Sequence, residues 1–182
     1  VSWWNRLTYT ITVTTGGNGS NKVQNERGTS VTATSGSNKT LTIRYGEKIT
    51  ATATATSGYT FMKWSSLNTS TTNPLTITPN ATGTITANFK DVTKPVATIS
   101  TTSNLKVTSQ TATLTCTDAV GVVSYYWGTS APTSSSTYTT VTSTTSMSVT
   151  KTVSVSGTYY LACKDAKGNV ADTVSKTYYS YV

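Results

Sequence analysis

Polar and apolar residues alternate along most of this chain. Leu7, Tyr9, Ile11 and Val13 are separated by single polar positions, the period of two that puts successive side chains on opposite faces of a strand. The pattern returns at Val31 and Ala33, at Leu41, Ile43 and Tyr45, and at Ile49, Ala51, Ala53 and Ala55, with threonine at 50, 52, 54 and 56. Tyr59, Phe61 and Trp64 follow Gly58. Leu75 and Ile77, then Ile85, Ala87 and Phe89, end the first run. Gly16-Gly17-Asn18-Gly19 reads as a turn-rich stop, and Tyr45-Gly46-Glu47-Lys48 as a hairpin turn.

At 91–95 the alternation lapses. Pro95 fixes its own φ and holds Lys94 extended, so this segment reads as a short, stiff linker between a domain at 7–90 and another at 96–182. The second domain is expected to have strands at 96–99, 112–116, 122–127, 138–141, 147–155, 158–163 and 173–179. Seven short strands punctuated by turns predict an immunoglobulin-like sandwich. No window of ten residues carries a helical period. The expected fold class is therefore all-β: a small antiparallel β-module followed by an immunoglobulin-like β-sandwich.

Hydrophobic residues make up 35% of the chain and charged residues 11%. Such a composition also suits a disordered stalk. The β-branched and aromatic alternation decides for folded sheet instead. No apolar run nears the roughly 18 residues that cross a bilayer as a helix, so no membrane insertion is expected. Neither end carries a signal-like start, and the stretch reads as a monomeric piece of a longer extracellular polypeptide.

The net charge is +8, from 14 Lys/Arg and 6 Asp/Glu. The cations stand singly along strands and turns, so edge lysines that deter sheet pairing are the first reading. An anionic cell-wall polymer is the alternative partner. Nucleic acid is not expected without a Lys/Arg cluster.

Gly46-x-x-Ile49-x-Ala51-x-Ala53, Gly58-Tyr59-x-Phe61-x-x-Trp64 and Ile85-Thr86-Ala87-Asn88-Phe89 together resemble the divergent internalin B-repeat family, over most of residues 9–89. The stretch 20–38 departs from that pattern. The resemblance implies a module of secreted or wall-attached bacterial proteins. Read as a core, the motif lets Tyr59, Phe61, Trp64 and Phe89 fill the space over Ala51 and Ala53. In the second domain, Asp118-Ala119-Val120-Gly121-Val122, Gly157-Thr158-Tyr159 and Asp165-Ala166-Lys167-Gly168-Asn169 resemble bacterial immunoglobulin-like families. Cys116, Trp127 and Cys163 have the Cys…Trp…Cys order of an immunoglobulin core, with Trp127 as the core ring. Leu161 stands where a tyrosine is usual.

Cys116 and Cys163 are the two cysteines. A disulfide is expected between them, with buried free thiols as the alternative. The chain has no histidine, so ordinary Ser-His or Cys-His catalysis has no base, and no enzyme activity or cofactor is expected. Asp118 and Asp165 each follow a cysteine by two residues, which brings them to neighbouring strand ends. Backbone capping is the plain reading for both, and a shared calcium site the sharper one. A Lys–Asn cross-link would need a buried acid, and no acid falls on a clear inward strand position. Tyr125, Tyr126, Tyr138, Tyr159 and Tyr160 offer an aromatic platform if they face outward, or cover for strand neighbours if they do not. Trp3 and Trp4 are expected to pack on the first domain or meet an upstream one.

The function expected is that of a stalk, spacer or adhesin segment, with a host glycan or protein, or a wall polymer, as partner. A phage virion decoration or tail component, and an accessory carbohydrate-binding region of a secreted enzyme, are the rival readings.

Overall fold

The computed structural model describes residues 7–101 and 108–179. Trp3 and Trp4 lie outside the described residues. Those described contain strands, turns and bends but no helix, and the chain divides into two compact units, 1–92 and 93–182.

Unit one holds β1 (Thr8–Thr15), β2 (Gly19–Asn25), β3 (Ser30–Ala33), β4 (Lys39–Arg44), β5 (Ile49–Ala55), β6 (Tyr59–Ser66), β7 (Leu75–Ile77) and β8 (Gly83–Asp91). They form two four-stranded sheets, ordered β4-β1-β8-β6 and β3-β2-β5-β7. The inward residues of both sheets make one core. Ile11, Val13, Ile43, Trp64, Ile85 and Ala87 come from the first sheet; Val23, Ala33, Ile49 and Ala51 come from the second, all 0% exposed. Threonines hold the alternate positions and face outward, and several bond across strands, as Thr14 does with Thr86 and Thr50 with Thr76.

Two features depart from simple alternation. β1 and β8 pair in parallel, Ile11 opposite Gly83 and Thr15 opposite Ala87, so this module is mixed, not purely antiparallel as expected. The free edge of β5 beyond β7 is closed by a side chain. Asn73 Nδ2 donates to the Ala53 carbonyl and its Oδ1 accepts from the Ala53 N–H, both at 2.9 Å, which satisfies backbone groups that would otherwise template another strand.

The motif spacing in β6 has a geometric cause. Phe61 and Trp64 are three apart, so in a regular strand they would face opposite ways. The β6–β8 register shifts between Phe61 and Lys63. This bulge makes Met62 the extra residue, left 42% exposed, and turns both rings inward. Phe61 then lies 5.0 Å from Trp64 and 6.1 Å from Phe89, centroid to centroid. Trp64 is fully buried and its indole N–H donates to the Thr72 carbonyl at 2.7 Å. Tyr59, expected in this core, is only half-buried at the start of β6 and lies outside it.

Unit two holds β9 (Val96–Thr101), β10 (Gln110–Gly128), β11 (Thr139–Val153), β12 (Gly157–Asp165) and β13 (Val174–Tyr178). The seven expected strands thus appear as five, because β10 and β11 each run through what was read as a turn. Residues 112–117 of β10 pair with β9, and 122–128 pair with β12. β11 follows β10 along both parts, with register shifts between Thr117 and Ser124. Taken by halves, three segments lie on one side and four on the other, the division of an immunoglobulin-like sandwich. Gly121 sits at the bend with φ 104°, and a Cβ there would come within 2.5 Å of Ser143 Oγ. The positive φ favours glycine there.

The halves close over Ala112, Leu114, Val122, Leu161 and the sulfurs of Cys116 and Cys163. These two cysteines form a disulfide with Cα atoms 6.6 Å apart. Cys116 belongs to the first half of β10, whereas Cys163 pairs across from Tyr125 in the second. The bond therefore ties the two layers together. Leu161, in the place usual for tyrosine, is fully buried.

Candidate functional site

Four of the six acids are buried, against the expectation that none takes an inward position: Glu47, Asp91, Asp118 and Asp165 are each under 9% exposed. A buried carboxylate must be met by donors or a cation. In unit one Glu47 meets both. Arg27 Nε donates to its Oε1 at 2.9 Å and Arg44 N–H to its Oε2 at 2.7 Å, while Arg27 also reaches the Thr42 carbonyl. The hydrogen bond from Arg27 is the main cause holding the Glu47 carboxyl below the usual glutamate range, against burial, which raises it. Asn25 Oδ1 shapes the neighbouring turn by accepting from the N–H groups of Arg27 and Thr29. The β2–β3 and β4–β5 turns are thus clamped to each other.

A depressed native pKa stabilises the fold at pH above the unfolded glutamate value of about 4.3 and loses that contribution as pH falls through the native value. Glu47→Gln is expected to cost about 1–2 kcal/mol at pH 7. The difference from wild type should shrink as pH falls below about 4.3 and through the lower native value. Urea melts of the two proteins from pH 7 to 2.5 check this. A gap that widens on acidification would contradict it.

In unit two Asp118 and Asp165 end inward-facing runs of β10 and β12, and their carboxylate oxygens lie within 4.8 Å of each other. Asp118 Oδ1 accepts from the N–H groups of Val120 and Gly121 at 2.9 and 3.2 Å. Asp165 Oδ1 accepts from Lys167 and Asn169 N–H at 2.8 Å, and its Oδ2 from the Asn169 amide. The two turns are joined by Ala166 N–H donating to the Gly121 carbonyl at 2.9 Å. Sequence reasoning placed the pair together, and the geometry gives both carboxylates a capping task.

The five candidate tyrosines separate by face. The register shift near Val122 turns Tyr125 inward, 5% exposed, so it belongs to the core. Tyr159 is inward too: its ring stacks on Trp127 at 5.2 Å and meets Tyr178 edge-on at 5.7 Å. Neither can contribute to an outer platform, a correction the pairing register explains. Tyr126 and Tyr160 alternate with these and project from the other face, where Tyr138 joins Tyr126 at 5.9 Å. Lys164 holds its ammonium 4.1 Å from the centre of the Tyr138 ring. Burial raises the Tyr138 hydroxyl above its ordinary pKa.

Residues 22–93 match the family described as the divergent InlB B-repeat domain. The match begins in β2 and omits β1, whereas the residue pattern suggested a span starting near 9. It also takes in much of the stretch 20–38 that departs from the motif. That span is similar to the family; it covers well under half of the chain. No curated protein matches the chain.

Proposed function

We propose that this chain is a non-catalytic segment of a bacterial cell-surface protein that adds length between neighbouring parts. The B-repeat match over 22–93 and the disulfide, a bond of oxidising compartments, support the surface placement. The observation that carries the spacing role is the parallel β1–β8 pair. When the first and last strands of a module are parallel neighbours, the chain enters at one end and leaves at the other. Antiparallel neighbours would return it to the same end.

The register sets the span. Ile11 is level with Gly83, so Leu7 is level with position 79, and Val92 lies thirteen residues further along the strand direction. At about 3.3 Å per residue, that is roughly 40 Å. The disulfide suits a segment carrying tension, since it prevents the chain between Cys116 and Cys163 from paying out even if the layers part. Spin labels at Leu7→Cys and Val92→Cys, both exposed positions, test the reading. A spacer holds them far apart.

A further inference from the structure

We infer that the outer face of unit two formed by β10, β11 and β12 binds a uronate-bearing polysaccharide, with the Tyr126 ring as stacking platform and Lys164 as anion contact. This goes beyond spacing and stands independently of it. The first observation is Ala162. It alternates with the inward Leu161 and Cys163, so it faces out, yet it is 0% exposed and absent from the core of unit two. Something covers it on the outer face. Tyr126 is directly opposite it across the β10–β12 ladder, and the outward rings supply the cover.

The second observation is how Tyr126 lies. A Cβ at Gly128 would fall 2.8 Å from Tyr126 Cζ and closer still to its hydroxyl. The ring therefore lies down over Gly128 instead of standing off the sheet, as any larger residue there would force it to do. Its hydroxyl is tied at that end, donating to the Ser130 carbonyl at 2.8 Å. A ring laid along the strand and tied at its hydroxyl is held in one position. Such preorganisation lowers the entropy lost on binding, and pyranose rings stack their C–H faces on flat aromatic surfaces of this kind.

The third is charge. Lys164 rises beside Tyr138, and no ion pair among the described residues engages its ammonium. The outward positions of these strands around it carry hydroxyls and rings and no carboxylate. One cation beside the Tyr126–Tyr138 ring pair on an acid-free face complements a sugar that carries a carboxylate. Neutral sugars would leave the ammonium unused, and a ring-free polyanion would leave the platform unused.

The test is calorimetric titration of the 182-residue chain with three probes: a uronate-containing oligosaccharide, a neutral glucose oligosaccharide and a poly(glycerol phosphate) of similar length. The uronate probe is expected to bind tightest, by about 3- to 5-fold over the neutral sugar. Tyr126→Ala should weaken it by roughly 5- to 10-fold. Gly128→Ala should weaken it comparably, since it lifts the ring while keeping the tyrosine, and its melting curve shows whether the fold survives. Lys164→Gln should bring the uronate probe down to the neutral one. The proposal fails if the uronate probe does not bind at millimolar concentration or if either other probe binds as tightly. It fails equally if Tyr126→Ala and Gly128→Ala, both folded, bind like wild type.

Discussion

Replacing Cys116 and Cys163 by alanine is expected to lower the stability of unit two by about 4 kcal/mol. The cysteines are 47 residues apart, and in the chain-entropy picture a closed loop of that size restricts the unfolded ensemble by this amount. Burial works in the same direction, because both sulfurs sit at 0% exposure among Leu114, Val122 and Leu161, where alanine leaves a void. A domain of this size holds about 5–10 kcal/mol in total. The loss should therefore appear as a fall in Tm of roughly 15–30 °C for unit two, read by calorimetry. A fall of only a few degrees would show that the sulfur bridge is incidental to the sandwich.

The second large effect belongs to Trp64. Trp64→Ala is expected to cost unit one about 3–5 kcal/mol. The side chain is fully enclosed between the sheets, touches Phe61, and spends its only donor on the Thr72 carbonyl. Alanine leaves both the cavity and an unpaired acceptor, and the core has little with which to refill it, since Ala51, Ala53 and Ala87 are small. Urea unfolding of the variant checks the size of the loss. A cost under about 1 kcal/mol would mean that the rings of Phe61 and Phe89 carry the core without it.

Much of this was legible in the residues, and the failures have physical causes. The threonine-alternating strands around Ile11, Leu41, Ile49 and Ile85 are where the pattern puts them, because one apolar and one polar face is what a half-buried strand needs. β2 was not legible. Its inward residues are Asn21, Val23 and Asn25, so only one apolar position marks it. Asn21 is buried because its amide donates to the Thr14 and Ile85 carbonyls of the facing sheet, a tertiary reason no local pattern carries. β10 reads as two strands because Asp118 and Gly121 look like a turn, and β11 because 142–146 holds no apolar position; paired along their length, they bend without ending. The faces of Tyr125 and Tyr126 hang on a register shift near Val122, and alternation alone cannot place a shift. That Asp118 and Asp165 meet was readable from their common distance from the cysteines. That backbone amides occupy them was not.

The claim that unit one lengthens the protein rests on the parallel pairing of its first and last strands, and one distance tests it most directly. Double electron–electron resonance between nitroxides at positions 7 and 92 should give a narrow distribution centred at roughly 40 Å, the thirteen-residue offset set by the β1–β8 register. A distance below about 20 Å, near that of two neighbouring strand ends plus the label arms, would mean that the chain leaves where it enters and that the module cannot act as a spacer.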